Sequence, residues 1–175
     1  MSGAESDLER FADDARRAEA VRERAARADR RVLDGISSTF TGTLLELLES
    51  TQPTVLITSA GAQRGVISAL GPDVIVLEMG ADRRILVRTS AVEGVRHATP
   101  IAARETDAIA SGPTLAELLD VWADEAPRVV VTSSAGTITA GVLERVGTDQ
   151  LILRLDGEID RVTLQLSNVQ QVVIG

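Results

Sequence analysis

Few residues of this 175-residue chain have side chains suited to chemistry, and their surroundings decide what kind. Cysteine is absent, which removes thiolate nucleophiles, thiolate metal sites and disulfides together. The one histidine, His97, has neither a cysteine nor a carboxylate cluster near it in sequence, so a surface or packing role suits it better than metal binding or catalysis. Asp73 and Asp149 stand at matching Gly-x-Asp turns, where a carboxylate ordinarily bonds its own backbone. Trp122 shares an apolar helical face with Leu115, Leu118 and Leu119, which reads as core or interface rather than a ligand platform. What remains is an arginine cluster, Arg64, Arg83, Arg84, Arg88 and Arg96, a candidate contact for nucleic acid or an acidic partner. Arg84 and Arg88 have the same strand parity and so can project from one face. Plain solvated strand edges use arginine too, since charge there discourages aggregation. The chain has no Gly-rich loop ending in Lys, no Ser/His/Asp arrangement, no metal-ligand spacing and no cofactor fingerprint. It reads as non-enzymatic, with no cofactor, metal or small-molecule substrate.

The charge distribution narrows the partners. Net charge is -8, carried mainly by residues 1–50 at -3 and residues 98–127 at -5, while residues 51–97 reach +1. The whole molecule repels polyanions at long range, and only the segment holding the arginine cluster departs from that. Every basic residue is arginine, a composition that points to a high-GC bacterial genome. No segment has the roughly 18 consecutive apolar residues of a membrane span, and the charge-dense N-terminus does not resemble a signal peptide. With no cysteine, the expected location is the cytoplasm.

The elements that must position these residues follow from periodicity. Leu8, Phe11, Ala15, Ala18, Val21, Ala25, Ala28 and Val32 recur at steps of three and four, which predicts a long amphipathic helix within residues 1–35. It either lies against its own domain or pairs with a second copy. Two capping boxes, Thr43-Leu44-Leu45-Glu46 and Thr114-Leu115-Ala116-Glu117, each open a short helix. Then come aliphatic runs separated by turns, and they come twice. Val55-Leu56-Ile57-Thr58 pairs with Val129-Val130-Val131-Thr132, Gly65–Leu77 with Gly141–Leu153, Ile85-Leu86-Val87 with Val162-Thr163-Leu164, and Ala91–Val95 with Asn168–Val172. The chain is a tandem repeat of one short helix and five strands, over residues 36–97 and 114–175, joined by a linker at 98–113.

Within the first repeat, Gly65-x-Ile67-x-x-Leu70-Gly71 with its aliphatic run to Leu77, then Leu86-Val87 and Ala91-Val92, resembles the Sm-like family of small SH3-type barrels. The resemblance implies an α+β, mainly β fold: a long N-terminal helix followed by two tandem Sm-like small β-barrels, each preceded by a short capped helix. The family's base-binding residues are not matched, since Gly71 and Gly147 stand where its acid falls and Thr89-Ser90 where its basic pair falls. An Arg/Glu-rich helix before such repeats also resembles small actinobacterial proteins labelled Fis-type regulators, although no helix-turn-helix is legible. Two functions follow as expectations. The first is a binding or scaffold module acting through protein partners or self-association. The second is an RNA- or DNA-binding regulator using the arginine cluster.

Overall fold

The computed structural model describes residues 39–80, 83–99, 101, 106, 111–157 and 159–175, with Glu19 and Glu23. Those two glutamates are helical and exposed; the rest of the helix expected over 1–35 lies outside the described residues. The elements are α1 (Phe40–Ser50), β1 (Pro53–Thr58), β2 (Gly61–Leu70), β3 (Val74–Glu78), β4 (Arg84–Arg88) and β5 (Val92–His97), then α2 (Leu115–Ala123), β6 (Arg128–Ser133), β7 (Ile138–Val146), β8 (Gln150–Leu155), β9 (Arg161–Gln165) and β10 (Val169–Ile174). A single 3-10 turn precedes each of β5 and β10.

All ten strands form one antiparallel sheet, ordered β5-β1-β2-β3-β4-β10-β6-β7-β8-β9. This corrects the expectation of two tandem barrels. From residue 39 onward, the helices among the described residues are two short ones. The repeats are not two closed units either, because β4 does not return to its own β5 but pairs with β10 of the other half. The hydrogen-bonding edge that a separate barrel would use for closure is spent on joining the halves.

Strand register can be compared position by position between the two halves. Leu56 lies opposite Val95 as Val131 lies opposite Val172, and Leu77 opposite Ile85 as Leu153 opposite Val162. Thr54 faces Gly65 as Val129 faces Gly141, so Thr54 is the equivalent of Val129. The sequence pairing of Val55 with Val129 is therefore one residue out, because the buried face of β1 begins at a threonine. Both halves bend at one place, with a register shift at Ile67/Ala69 in β2 and at Leu143/Arg145 in β7. Gly65 and Gly141 precede these bends, and a Cβ on either would overlap the carbonyl oxygen of Glu78 or Arg154 on the next strand.

Two apolar cores result. Leu44 and Leu47 of α1 cover Leu56, Ile67, Leu77 and Ile85 in the first. Leu115 and Leu119 of α2 cover Val131, Leu143, Leu151 and Leu153 in the second. Val74, Val76 and Leu86 also belong to the second core, though they come from the first half. So β3 and β4 are buried on both faces, one facing each core, and this couples the halves.

The capping boxes fare differently. Thr114 accepts from the Glu117 amide while the Glu117 carboxylate accepts from Thr114 N–H at 2.7 Å, as expected. That same bond from Thr114 holds the Glu117 carboxyl below the usual carboxylate range. The first helix instead opens at Thr39, whose hydroxyl accepts from Gly42 N–H. Thr43 lies within it and donates to the Thr39 carbonyl.

Candidate interaction surfaces

The structure divides the five predicted arginines among three settings. Arg88 is internal. Its Nη1 donates to Asp73 Oδ2 at 2.8 Å, its Nε to the Val169 carbonyl at 2.9 Å and its Nη2 to the Leu166 carbonyl at 2.8 Å. Three donors of one fork thus bind both halves across the β4–β10 junction. The other Asp73 oxygen accepts from Leu115 N–H at 2.9 Å, which ties the first turn of α2 to the same point. Asp73 is structural, but through a long-range network rather than its own turn. The Asp149 main-chain carbonyl accepts from Leu166 N–H, as the Asp73 carbonyl does from Thr89 N–H, which is not the carboxylate-to-own-backbone bond that the turn predicts.

Arg83 and Arg84 stand at the start of β4. Arg84 is 3.8 Å from the Glu78 carboxylate, and its guanidinium sits 5.8 Å from the Trp122 ring centre. Arg83 makes no ion pair among the described residues and lines a cavity with Met79, Arg128, Val130 and Val173. Arg64 and Arg96 form the third setting, on either side of Val55 in one cross-strand row. Both are exposed and without an ion pair among the described residues. The neighbouring row runs Pro53, Val66, Glu78, Arg84, so Arg64, Arg84 and Arg96 share a face that Glu78 interrupts.

Beside Val55 in β1, Ile57 is 41% exposed, with the side-chain-free Gly94 opposite it. This is the apolar part of the surface next to β5. β5 and β9 are the outer edges of the sheet, with no further strand pairing among the described residues. The β9 end is more polar: Thr163 and Gln165 occupy the places of Leu86 and Arg88, and the acidic residues Asp156 and Asp160 precede the strand. Glu144 bridges Arg161 at 2.6 Å and Arg154 at 3.2 Å, and the bond from Arg161 is the main reason its carboxyl lies below the usual range.

His97 ends β5, its Nδ1 2.7 Å from the Thr99 carbonyl oxygen. Among the described residues no three His, Asp or Glu side chains converge on a possible metal position, and no helix is long and apolar enough to cross a membrane. Arg128, which sequence reasoning passed over, bonds Asp156 at 2.6 Å and borders two cavities, and Trp122, read there as core or interface, walls the larger of them. Trp122 was legible as the one tryptophan of the chain, whereas Arg128 carried no signal beyond its charge. Compared with known proteins, the chain matches no family model and no curated protein sequence.

Proposed function

We propose that the chain is a non-enzymatic scaffold module, acting in the cytoplasm, whose copies associate through the edges of their sheets. The observation that carries this reading is the β4–β10 junction. It joins the fourth strand of one repeat to the fifth strand of the other, and the corresponding pair, β9 and β5, is left at the two ends of the sheet. The molecule therefore contains one worked case of the pairing that two copies would make. Such strand addition draws its affinity from main-chain hydrogen bonds. Charge favours a head-to-tail arrangement, with Arg64 and Arg96 beside one edge and Asp156 and Asp160 beside the other. The intermolecular joint lacks the Leu86 and Arg88 contacts of the internal one, so it is the weaker of the two and sensitive to salt.

Sedimentation velocity over a range of concentrations tests this. Mass should grow beyond the 18.5 kDa monomer at about 10 μM and above, a Kd of order 10⁻⁵ M, and fall back when Arg64 and Arg96 are changed to Glu. A monomer at all concentrations would count against the proposal. A second reading, nucleic-acid binding along the Arg64–Val55–Arg96 row, is supported by those two guanidiniums, which make no ion pair among the described residues. Arg88 cannot serve it without giving up the junction, and the net charge of -8 opposes it. Salt-sensitive binding of labelled RNA that Arg64→Ser with Arg96→Ser abolishes would favour that second reading.

A further inference from the structure

A cavity of 460 Å³ opens where the ends of β4, β6 and β10 meet the C-terminal turn of α2. Its walls are of three kinds. Trp122, Pro127 and Ile174 are apolar, Arg84 and Arg128 are cationic, and Glu125 is acidic. The volume is in the range of small-molecule sites, roughly 300–1,000 Å³. Trp122 is half-buried and packs against the second core, and its helix is anchored there by Leu119, so the ring is a fixed wall.

The two guanidiniums keep donors in reserve. The Arg84 side chain makes no hydrogen bond among the described residues, lying 3.8 Å from Glu78 and 5.8 Å from the Trp122 ring centre. Arg128 uses Nε and Nη2 on a single Asp156 oxygen, which leaves the two N–H groups of Nη1 without a partner among the described residues. A cation pair beside a fixed aromatic wall suits a ligand with both a flat body and an acidic group. Glu125 disfavours a second negative charge in the same space.

We propose that this cavity binds a small organic anion with a flat unsaturated body, the body against Trp122 and one acidic group between Arg84 and Arg128. Carboxylate and phosphate monoester share the required chemistry, and the experiment separates them. The site is independent of the sheet edges, so it stands or falls apart from the association proposed above.

The chain has one tryptophan, so the single indole N–H signal in a proton–nitrogen spectrum of the full chain reports on this cavity. The probes are 1-naphthoate and 1-naphthyl phosphate, with 1-naphthylmethylamine and inorganic phosphate as controls for charge sign and for the flat body. At least one naphthyl anion should shift the signal saturably with a Kd below about 1 mM, and both controls should bind about tenfold more weakly or not at all. The anion that binds better identifies the acidic group preferred. Arg84→Gln and Arg128→Gln should each weaken binding about fivefold while the spectrum stays dispersed; should Arg84→Gln fail to fold, Arg128→Gln decides, since that side chain is exposed. The proposal is overturned if neither anion gives a saturable shift, if the amine binds as well as the anions, or if the folded variants keep full affinity.

Discussion

Replacing Arg88 with Met should loosen the joint between the two halves more than any other single charge-removing change. The side chain makes three charge-assisted bonds at 2.8–2.9 Å, one to Asp73 and two to the carbonyls of Val169 and Leu166. Each such bond is worth about 1.5–3 kcal/mol in isolation, but simple addition overshoots, because the unfolded chain solvates the same groups. The Arg88 and Asp73 side chains retain 19% and 35% of their exposure, so water partly compensates once the pair is broken. Breaking a fully buried pair costs about 3–5 kcal/mol, and discounting for this exposure gives about 2–4 kcal/mol for Arg88→Met. Asp73→Asn keeps an oxygen for Leu115 N–H while removing the charge, and should cost about 1–2 kcal/mol. Urea denaturation of both single variants and the double variant measures the cost and the coupling. The two residues should couple by at least about 1 kcal/mol, and amides of β4 and β10 should lose hydrogen-exchange protection first. A cost under about 0.5 kcal/mol, the level of an ordinary surface change, would refute the assignment of Arg88 as the tie across the junction.

Other perturbations separate equivalent positions of the two repeats. A Cβ at Gly71 would overlap the carbonyl oxygen of Pro113, whereas one at Gly147 meets the movable Gln150 side chain at 3.3 Å and the Gln150 carbonyl oxygen at an ordinary contact distance of 3.7 Å. Gly71→Ala should therefore cost about 1–3 kcal/mol by overpacking and Gly147→Ala less than about 0.5 kcal/mol, as thermal denaturation would read. Thr114→Ala removes the hydroxyl that accepts from Glu117 N–H and should cost about 1 kcal/mol in the same assay. The Glu117 and Glu144 carboxyls are both held below their usual range, so their stabilising contributions are present above the unfolded carboxylate pKa and fade as pH falls through the lowered folded values. Carbon-detected titration should show both midpoints below those of free glutamate, and Arg161→Gln should move that of Glu144 back upward while leaving Glu117 unchanged.

Much of the local structure was legible in the sequence, and the joint was not. Aliphatic runs between turn residues located the strands, because burial selects side chains at a period the chain itself displays. Thr114 and Glu117 disclosed their cap because both partners lie within one turn. The β4–β10 pairing links residues more than 80 positions apart, and nothing local specifies it. A signal was present all the same. Val74-Ile75-Val76-Leu77 and Ile85-Leu86-Val87 are continuously apolar, whereas their counterparts are interrupted at Gln150 and Thr163. A strand apolar on both sides is covered on both sides, so the difference between the repeats marked the half whose outer face meets the other core. Arg88 read as surface charge because charge alone does not reveal the converging carbonyls of Leu166 and Val169. Thr39 was missed as a helix cap because Thr43-Leu44-Leu45-Glu46 offered a better-formed match four residues later.

The central claim, association through β9 and β5, fixes a register that can be trapped. Leu86 faces Val172 in the internal joint, and their equivalents at the open edges are Thr163 and Val95. The chain has no cysteine of its own, so Val95→Cys and Thr163→Cys introduced in separate molecules can form a disulfide only with each other or with their own kind. Under mild oxidation the mixture of the two should give a disulfide-linked dimer on a non-reducing gel, while neither variant alone does so to the same extent. Equal dimer from the single variants, or none from the mixture, would contradict edge-to-edge assembly.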